Sequence, residues 1–236
     1  YATDAAFAAL KSDGSVVTWG NQSYGGDSAS VSDKLNNIRA IYATDTAFAA
    51  VKSDGSVVTW GDGNSGGDSS GVSEQLLSSV QTIYSNKYAF AAVKSDGSVV
   101  TWGYASYGGP PIVTNEVKYA LDSATVKAIY STDKAFAALT TEGDVIAWGD
   151  EQYGGLVGKI TSNFPPISSE ESLTNIKAIY STSQTFAALT TTGKVITWGY
   201  ISADAGNFWT LEPGKTPDRK STRLNSSHQI ISYAVF

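Results

Sequence analysis

The chain is organised by short apolar runs, each too brief for a helix and each set against a polar turn. AFAALKSDGSVVTWG begins at Ala6, and AFAAVKSDGSVVTWG follows at Ala47 and again at Ala89. Looser copies are AFAALTTEGDVIAWG from Ala135 and TFAALTTTGKVITWG from Thr185. The second run of each copy, such as Val57-Val58-Thr59-Trp60, is β-branched and aromatic, which favours a strand. Asp-Gly between two such runs predicts a tight hairpin turn, because glycine accepts the positive φ that the turn demands. The fourth and fifth copies keep only the glycine, as Gly143 and Gly193. A third run precedes each hairpin, at 38–42, 81–84, 126–130 and 176–180, and alternates polar with apolar as a half-buried strand does.

Each unit therefore reads as strand A (IKAIY in type), strand B (AFAAL), a turn, then strand C (VVTWG). A variable connector follows, such as 25–37. It is expected to hold a short outer strand or a helical turn around a leucine: Leu35, Leu76 or Leu173. Alanine is a poor strand former, so its recurrence in strand B predicts sheets packed too closely for larger side chains. The tryptophans Trp19, Trp60, Trp102, Trp148 and Trp198 recur at intervals of 41, 42, 46 and 50 residues. Such periods suit a propeller blade or a helical array, and the strand chemistry selects the blade. The expected fold is all-β, a β-propeller of about five repeats in residues 1–200. Repeat cores lie near 6–20, 47–61, 89–103, 135–149 and 185–199, with a degenerate end at 201–217.

The order Ala9-Leu10, Asp13-Gly14, Val16, Trp19-Gly20-Asn21, with weaker copies in each later unit, resembles the repeat of the regulator-of-chromosome-condensation family. The resemblance covers about residues 1–200 and implies a propeller, commonly of seven blades. Family repeats usually carry histidine before the Ala-Leu, where this chain has Phe7, Phe48, Phe90, Phe136 and Phe186. Only the fold is carried over. With five units the propeller is expected to be incomplete, an open arc with further blades supplied from outside this sequence.

The chain has 236 residues, 42% of them hydrophobic, with no run of the ~18 apolar residues that a membrane span needs. Membrane insertion is not expected. There is no signal peptide and no methionine, so the chain is read as part of something longer. Zero cysteines remove disulfides and thiolate chemistry without fixing the compartment, although an extracellular or cell-surface setting suits the chain slightly better than a cytoplasmic one. Net charge is −6 with no basic run in the repeats, which argues against nucleic acid as a partner.

The last segment, DRKSTRLNSSHQIISYAVF at 218–236, breaks the pattern and resembles the translation of a sequencing adapter. It holds His228, the only histidine. Setting aside its Arg219, Lys220, Arg223 and Asp218 reduces the 16 basic and 22 acidic side chains of the whole chain to 13 and 21, a net of −8.

Without histidine or cysteine in the repeats, the usual general base, thiol nucleophile and zinc ligands are missing. No cofactor is expected, and the chain is read as non-catalytic. Asp13, Asp54 and Asp96 sit in identical turns, and turn formation accounts for them. The run 62–68 has the oxygen-rich look of a calcium loop, but Gly66 stands where a ligand belongs and no glutamate closes it. The glycines of Tyr24-Gly25-Gly26 and its cognates read as backbone punctuation.

Binding determinants belong where copies differ. In an up-and-down blade the A–B and C–D loops leave one face. The A–B loops offer Asp4, Asp45, Lys87, Tyr88, Lys134 and Gln184, and the C–D loops Asn21, Gln22, Asp62, Asn64, Tyr104, Asp150, Glu151 and Tyr200. A constant framework with variable loops on one side is how scaffolds carry binding. The leading reading is a protein-interaction scaffold with a protein partner. A structural spacer or adhesin-type array, and an accessory module of an enzyme whose catalytic domain lies elsewhere, are its rivals.

Overall fold

The computed structural model describes residues 1–110, 115–155 and 173–200. The degenerate end at 201–217 and the adapter-like tail at 218–236 lie outside them. Fourteen strands form five antiparallel blades in chain order. Blade 1 has β1 (Ala6–Leu10) and β2 (Val16–Gly20). Blade 2 has β3 (Ile38–Ala43), β4 (Ala47–Lys52) and β5 (Val57–Gly61). Blade 3 has β6 (Val80–Ser85), β7 (Ala89–Lys94) and β8 (Val99–Gly103). Blade 4 has β9 (Val126–Ser131), β10 (Ala135–Thr140) and β11 (Val145–Gly149). Blade 5 has β12 (Ile176–Ser181), β13 (Thr185–Thr190) and β14 (Val195–Gly199). In the three-stranded blades strand B lies between A and C, and the A strands of successive blades lie side by side. In blade 1, Tyr1 exchanges backbone bonds with Ala8 and Ala2 bridges Phe7, so the first residues begin to fill the place of strand A.

The B–C turn is a three-residue loop. Lys11 N–H donates to Ser15 O and Gly14 N–H to Lys11 O, with Gly14 at φ 79°. Asp13 Oδ1 accepts both the amide and the hydroxyl of Ser15, at 2.9 and 2.6 Å. Asp54 and Asp96 repeat this with Ser56 and Ser98. These bonds to serine hold all three exposed carboxyls below the ordinary aspartate range. Strand A departs from simple alternation: its register shifts around Arg39, so Ile38 and Ile41 are both buried although three apart. The connectors hold helical turns, 3-10 at Ala29–Val31 and Ser70–Leu76 and an α-helix, α1, at Asn115–Ser123. No fourth strand forms among the described residues. Leu35, Leu76, Leu121 and Leu173 each plug one junction between blades.

The core is that set of junctions. Ala6 and Ala8 of one blade meet Ile41, Phe48, Ala50 and Trp60 of the next, and the pattern recurs three more times. Strand B of blades 2 to 4 is buried on both faces, and the close approach explains its alanines. Each junction closes on a glycine. Trp60 Nε1 donates to Gly25 O at 3.0 Å, and Trp102, Trp148 and Trp198 do the same to Gly66, Gly108 and Gly154. A Cβ on Gly25 would stand 2.6 Å from the Phe48 ring, and φ there is 89°. The glycine is therefore a contact as well as a turn. Blade 1 alone lacks this cover: Phe7 and Trp19 stack on each other at 5.4 Å, yet each is 50% exposed.

Candidate interaction face

The A–B loop of each blade opens with a small polar residue: Thr3, Thr44, Asn86, Thr132 or Thr182. Its side-chain oxygen accepts the amide three residues on. In blades 1 to 4 the same side chain donates across to the C–D loop, to the carbonyls of Tyr24, Ser65, Tyr107 and Tyr153. The residue leaving strand C returns a bond: the amides of Asn21, Asp62, Tyr104, Asp150 and Tyr200 donate to Ala5, Thr46, Tyr88, Lys134 and Gln184. The two loops thus lie together on one face.

A backbone thread joins blade to blade on that face. Asp4 N–H donates to Asp45 O, Asp45 to Lys87, Lys87 to Asp133 and Asp133 to Ser183, at 2.8 to 3.2 Å. The side chains beside this thread are charged. Lys87 Nζ is 2.9 Å from Asp133, and that bond holds the ammonium above its ordinary value. Burial pushes the Asp45 carboxyl up, with Asp4 and Asp133 adding to it and Lys87 opposing.

The sequence-chosen residues divide by what they do. Asn21, Asp62 and Asp150 cap their own 3-10 turns, accepting the amides of Ser23, Asn64 and Gln152. Gln22 is bonded to Asp27. Asn64, Glu151, Gln184 and Tyr200 are exposed. Tyr88, Tyr104 and Lys134 come together with residues that sequence reasoning missed. Tyr104 stacks on Tyr107 at 4.8 Å, and Tyr88 lies tilted against Tyr107 at 4.9 Å. Lys134 Nζ sits 4.9 Å from the Tyr107 ring and 4.8 Å from the Tyr153 ring. Partial burial works against its charge, but Tyr107, Tyr153 and Asp150 outweigh that and hold the ammonium above its ordinary value. The missed signal was the tyrosine at position 24, 107 and 153, passed over as part of a glycine turn.

A cleft of about 430 Å³ is lined by Asn64, Asp68, Val72, Trp102, Tyr104 and Pro110 among others. Together these groups make an aromatic strip across blades 3 and 4, with Tyr104 44% exposed. Acid surrounds it. The A–B loops carry Asp4, Asp45 and Asp133 against Lys87 and Lys134. The C–D loops and the turns behind them carry Asp27, Asp62, Asp68, Asp150 and Glu151 and no lysine or arginine of their own. On the opposite face the B–C turns carry Asp13, Asp54, Asp96, Glu142 and Asp144 with Lys11, Lys52, Lys94 and Lys194, and Arg39, Lys127 and Lys177 stand near the starts of the A strands. The excess of acid is therefore on one side. Among the described residues no cluster of three or more acidic, histidine or cysteine side chains is placed to hold a metal, and no helix is long and apolar enough to cross a membrane.

No protein-family profile matches the sequence, and no curated protein matches it. Solved structures do. Prp20p from Saccharomyces cerevisiae, studied for its binding to Gsp1p and histones, aligns with a TM-score of 0.50 at 20% identity, over 84% of this chain and 56% of its own. Yeast RCC1 (Prp20) in its complex with Kap60 gives 0.51 at 20% identity, over 84% and 54%. Human WBSCR16 gives 0.50 at 19% identity, over 83% and 59%. The chain thus spans little more than half the length of these structures. Over the described residues its fold is an open arc of a β-propeller of the regulator-of-chromosome-condensation type.

Proposed function

We propose that the chain is a non-catalytic scaffold that binds protein through the face of the A–B and C–D loops. One observation carries this reading. The blades are held in register by backbone and glycine contacts, while the loop side chains differ from blade to blade and gather into a tyrosine strip that is half-buried at Tyr88, Tyr107 and Tyr153 and exposed at Tyr104. Aromatic clusters with a polar rim are the usual centres of protein interfaces. The structurally similar yeast Prp20p binds other proteins, which supports the same use of this fold.

Selection from an unbiased random peptide library on the purified chain tests it. Recovered peptides should lose binding to Tyr104→Ala and Glu151→Ala and keep it on Asp54→Ala and Asp96→Ala, which lie on the other face. A spacer would select nothing reproducible. Ligands that map to the B–C turns would assign binding to the wrong side and end this reading.

A further inference from the structure

We propose that this face takes an extended, lysine- or arginine-rich protein segment, whose cationic side chains rest over the tyrosine strip, first of all on exposed Tyr104. The inference rests on the reading of the face as a protein-binding surface and names the chemistry of its partner. Three independent observations point the same way. The first is charge: acidic side chains outnumber basic ones on this face, whereas on the opposite face basic ones are the more numerous. Complementary potential of this kind selects partners and speeds their arrival.

The second is an internal example. Lys134 already holds its ammonium between two tyrosine rings, within the distance at which the ring quadrupole attracts a cation. An incoming lysine or arginine would meet the same chemistry on Tyr104, whose ring is stacked on Tyr107 and open to solvent. Lys134 is thus a resident competitor for part of the strip. The third is shape. The cleft brings the Asp68 carboxylate, the apolar Val72 and the Tyr104 ring into one lining. Three kinds of contact in one open cleft suit a segment of several residues better than a compact ligand.

The test uses the whole chain and three labelled probes: a peptide of alternating lysine and serine, its glutamate counterpart, and an uncharged oligosaccharide. Fluorescence anisotropy is read at low and at physiological salt. The lysine peptide should bind, more weakly as salt rises, and the other two should not. Tyr104→Ala should weaken it about fivefold, the worth of one cation–π contact, and Tyr107→Ala, which removes the ring that Tyr104 stacks on, should weaken it less. Lys134→Ala should strengthen it, because two rings become free and a repelling charge is lost. Asp96→Ala should change nothing. Lysine-peptide binding that ignores both tyrosine variants would reduce the effect to diffuse charge attraction and overturn the proposal. Binding of the glutamate peptide or the oligosaccharide in its place would overturn it as well. If library selection returns neutral or acidic peptides that still depend on Tyr104, the cationic partner is wrong and the interaction face survives.

Discussion

Blades 1 and 3 carry nearly one sequence in two environments. From Ala6 to Gly20 and from Ala89 to Gly103 the fifteen positions differ only at Leu10 and Val93. Both stretches form the same hairpin and the same aspartate-capped turn, and both stack phenylalanine on tryptophan, at 5.4 and 5.2 Å. Yet Phe7 is 50% exposed and Phe90 not at all, because Gly66 of the preceding blade closes over Phe90 and accepts Trp102. The hairpin is a local product of its residues. Burial is a property of neighbours. In such an array stability accumulates at the junctions, as in other repeat proteins.

The largest expected effect is at the aromatic itself. Phe90→Ala should lower stability by about 3–5 kcal/mol, the cost of emptying a buried aromatic site. Phe7→Ala should cost no more than about 1 kcal/mol, since half of that ring is already in water. Urea titration of the two variants gives both figures, and equal losses would break the contrast between the blades.

Next comes the lid on Phe90. Gly66→Ala forces a left-handed residue to carry a Cβ that would lie 2.5 Å from the Phe90 ring, so a loss of about 2–4 kcal/mol is expected. Gly71→Ala is the control, because nothing lies within 4 Å of a Cβ there. Thermal melts that rank the two substitutions alike would show that the glycine is not a packing contact.

A smaller effect belongs to the indole. Trp102→Phe removes the donor to Gly66 O and should cost about 1–3 kcal/mol. Trp19→Phe removes no such bond to a preceding blade and should cost measurably less in the same urea assay. A larger loss at Trp19 would mean that its exposed ring carries a stabilising contact of its own.

The smallest effect should not distinguish the blades at all. Asp13→Ala and Asp96→Ala each delete a turn carboxylate whose acidity is raised by hydrogen bonds from serine. A carboxyl with a depressed folded-state pKa contributes stability above its unfolded pKa, and loses it as pH falls through the folded value. Both variants should therefore be slightly less stable than the parent at neutral pH and converge with it in acid, by equal amounts. Unequal shifts in the melting temperature would show that the turns feel their neighbours too.

The blade was legible in the sequence because its determinants are local: an Asp-Gly turn, β-branched runs, and a tryptophan that marks each period. The bulge at Arg39 was not, since nothing in IRAIY signals that a register shift buries both isoleucines. The helical turns of the connectors, offered as one of two options, could not be separated from strands by a single leucine. The candidate face was half legible. Differences among copies pointed to the right loops, but Asn21, Asp62 and Asp150 turned out to be caps whose oxygens serve the turn. The aromatic strip was hidden, because Tyr107, Lys134 and Tyr153 are distant in the chain and meet only when two blades stack. Tyr107 and Tyr153 had looked like turn furniture beside their glycines.

Because every link in the thread through Asp4, Asp45, Lys87, Asp133 and Ser183 runs from amide to carbonyl, no side chain is needed to keep these loops at their spacing. Only proline lacks the donor. The side chains at 45, 87 and 133 can then be exchanged as a set while the scaffold keeps its geometry, so the protein offers a ready frame for a randomised library. Proline at any one of these positions would cut one link of the thread between two blades, and would mark in such a library the one residue that selection discards first.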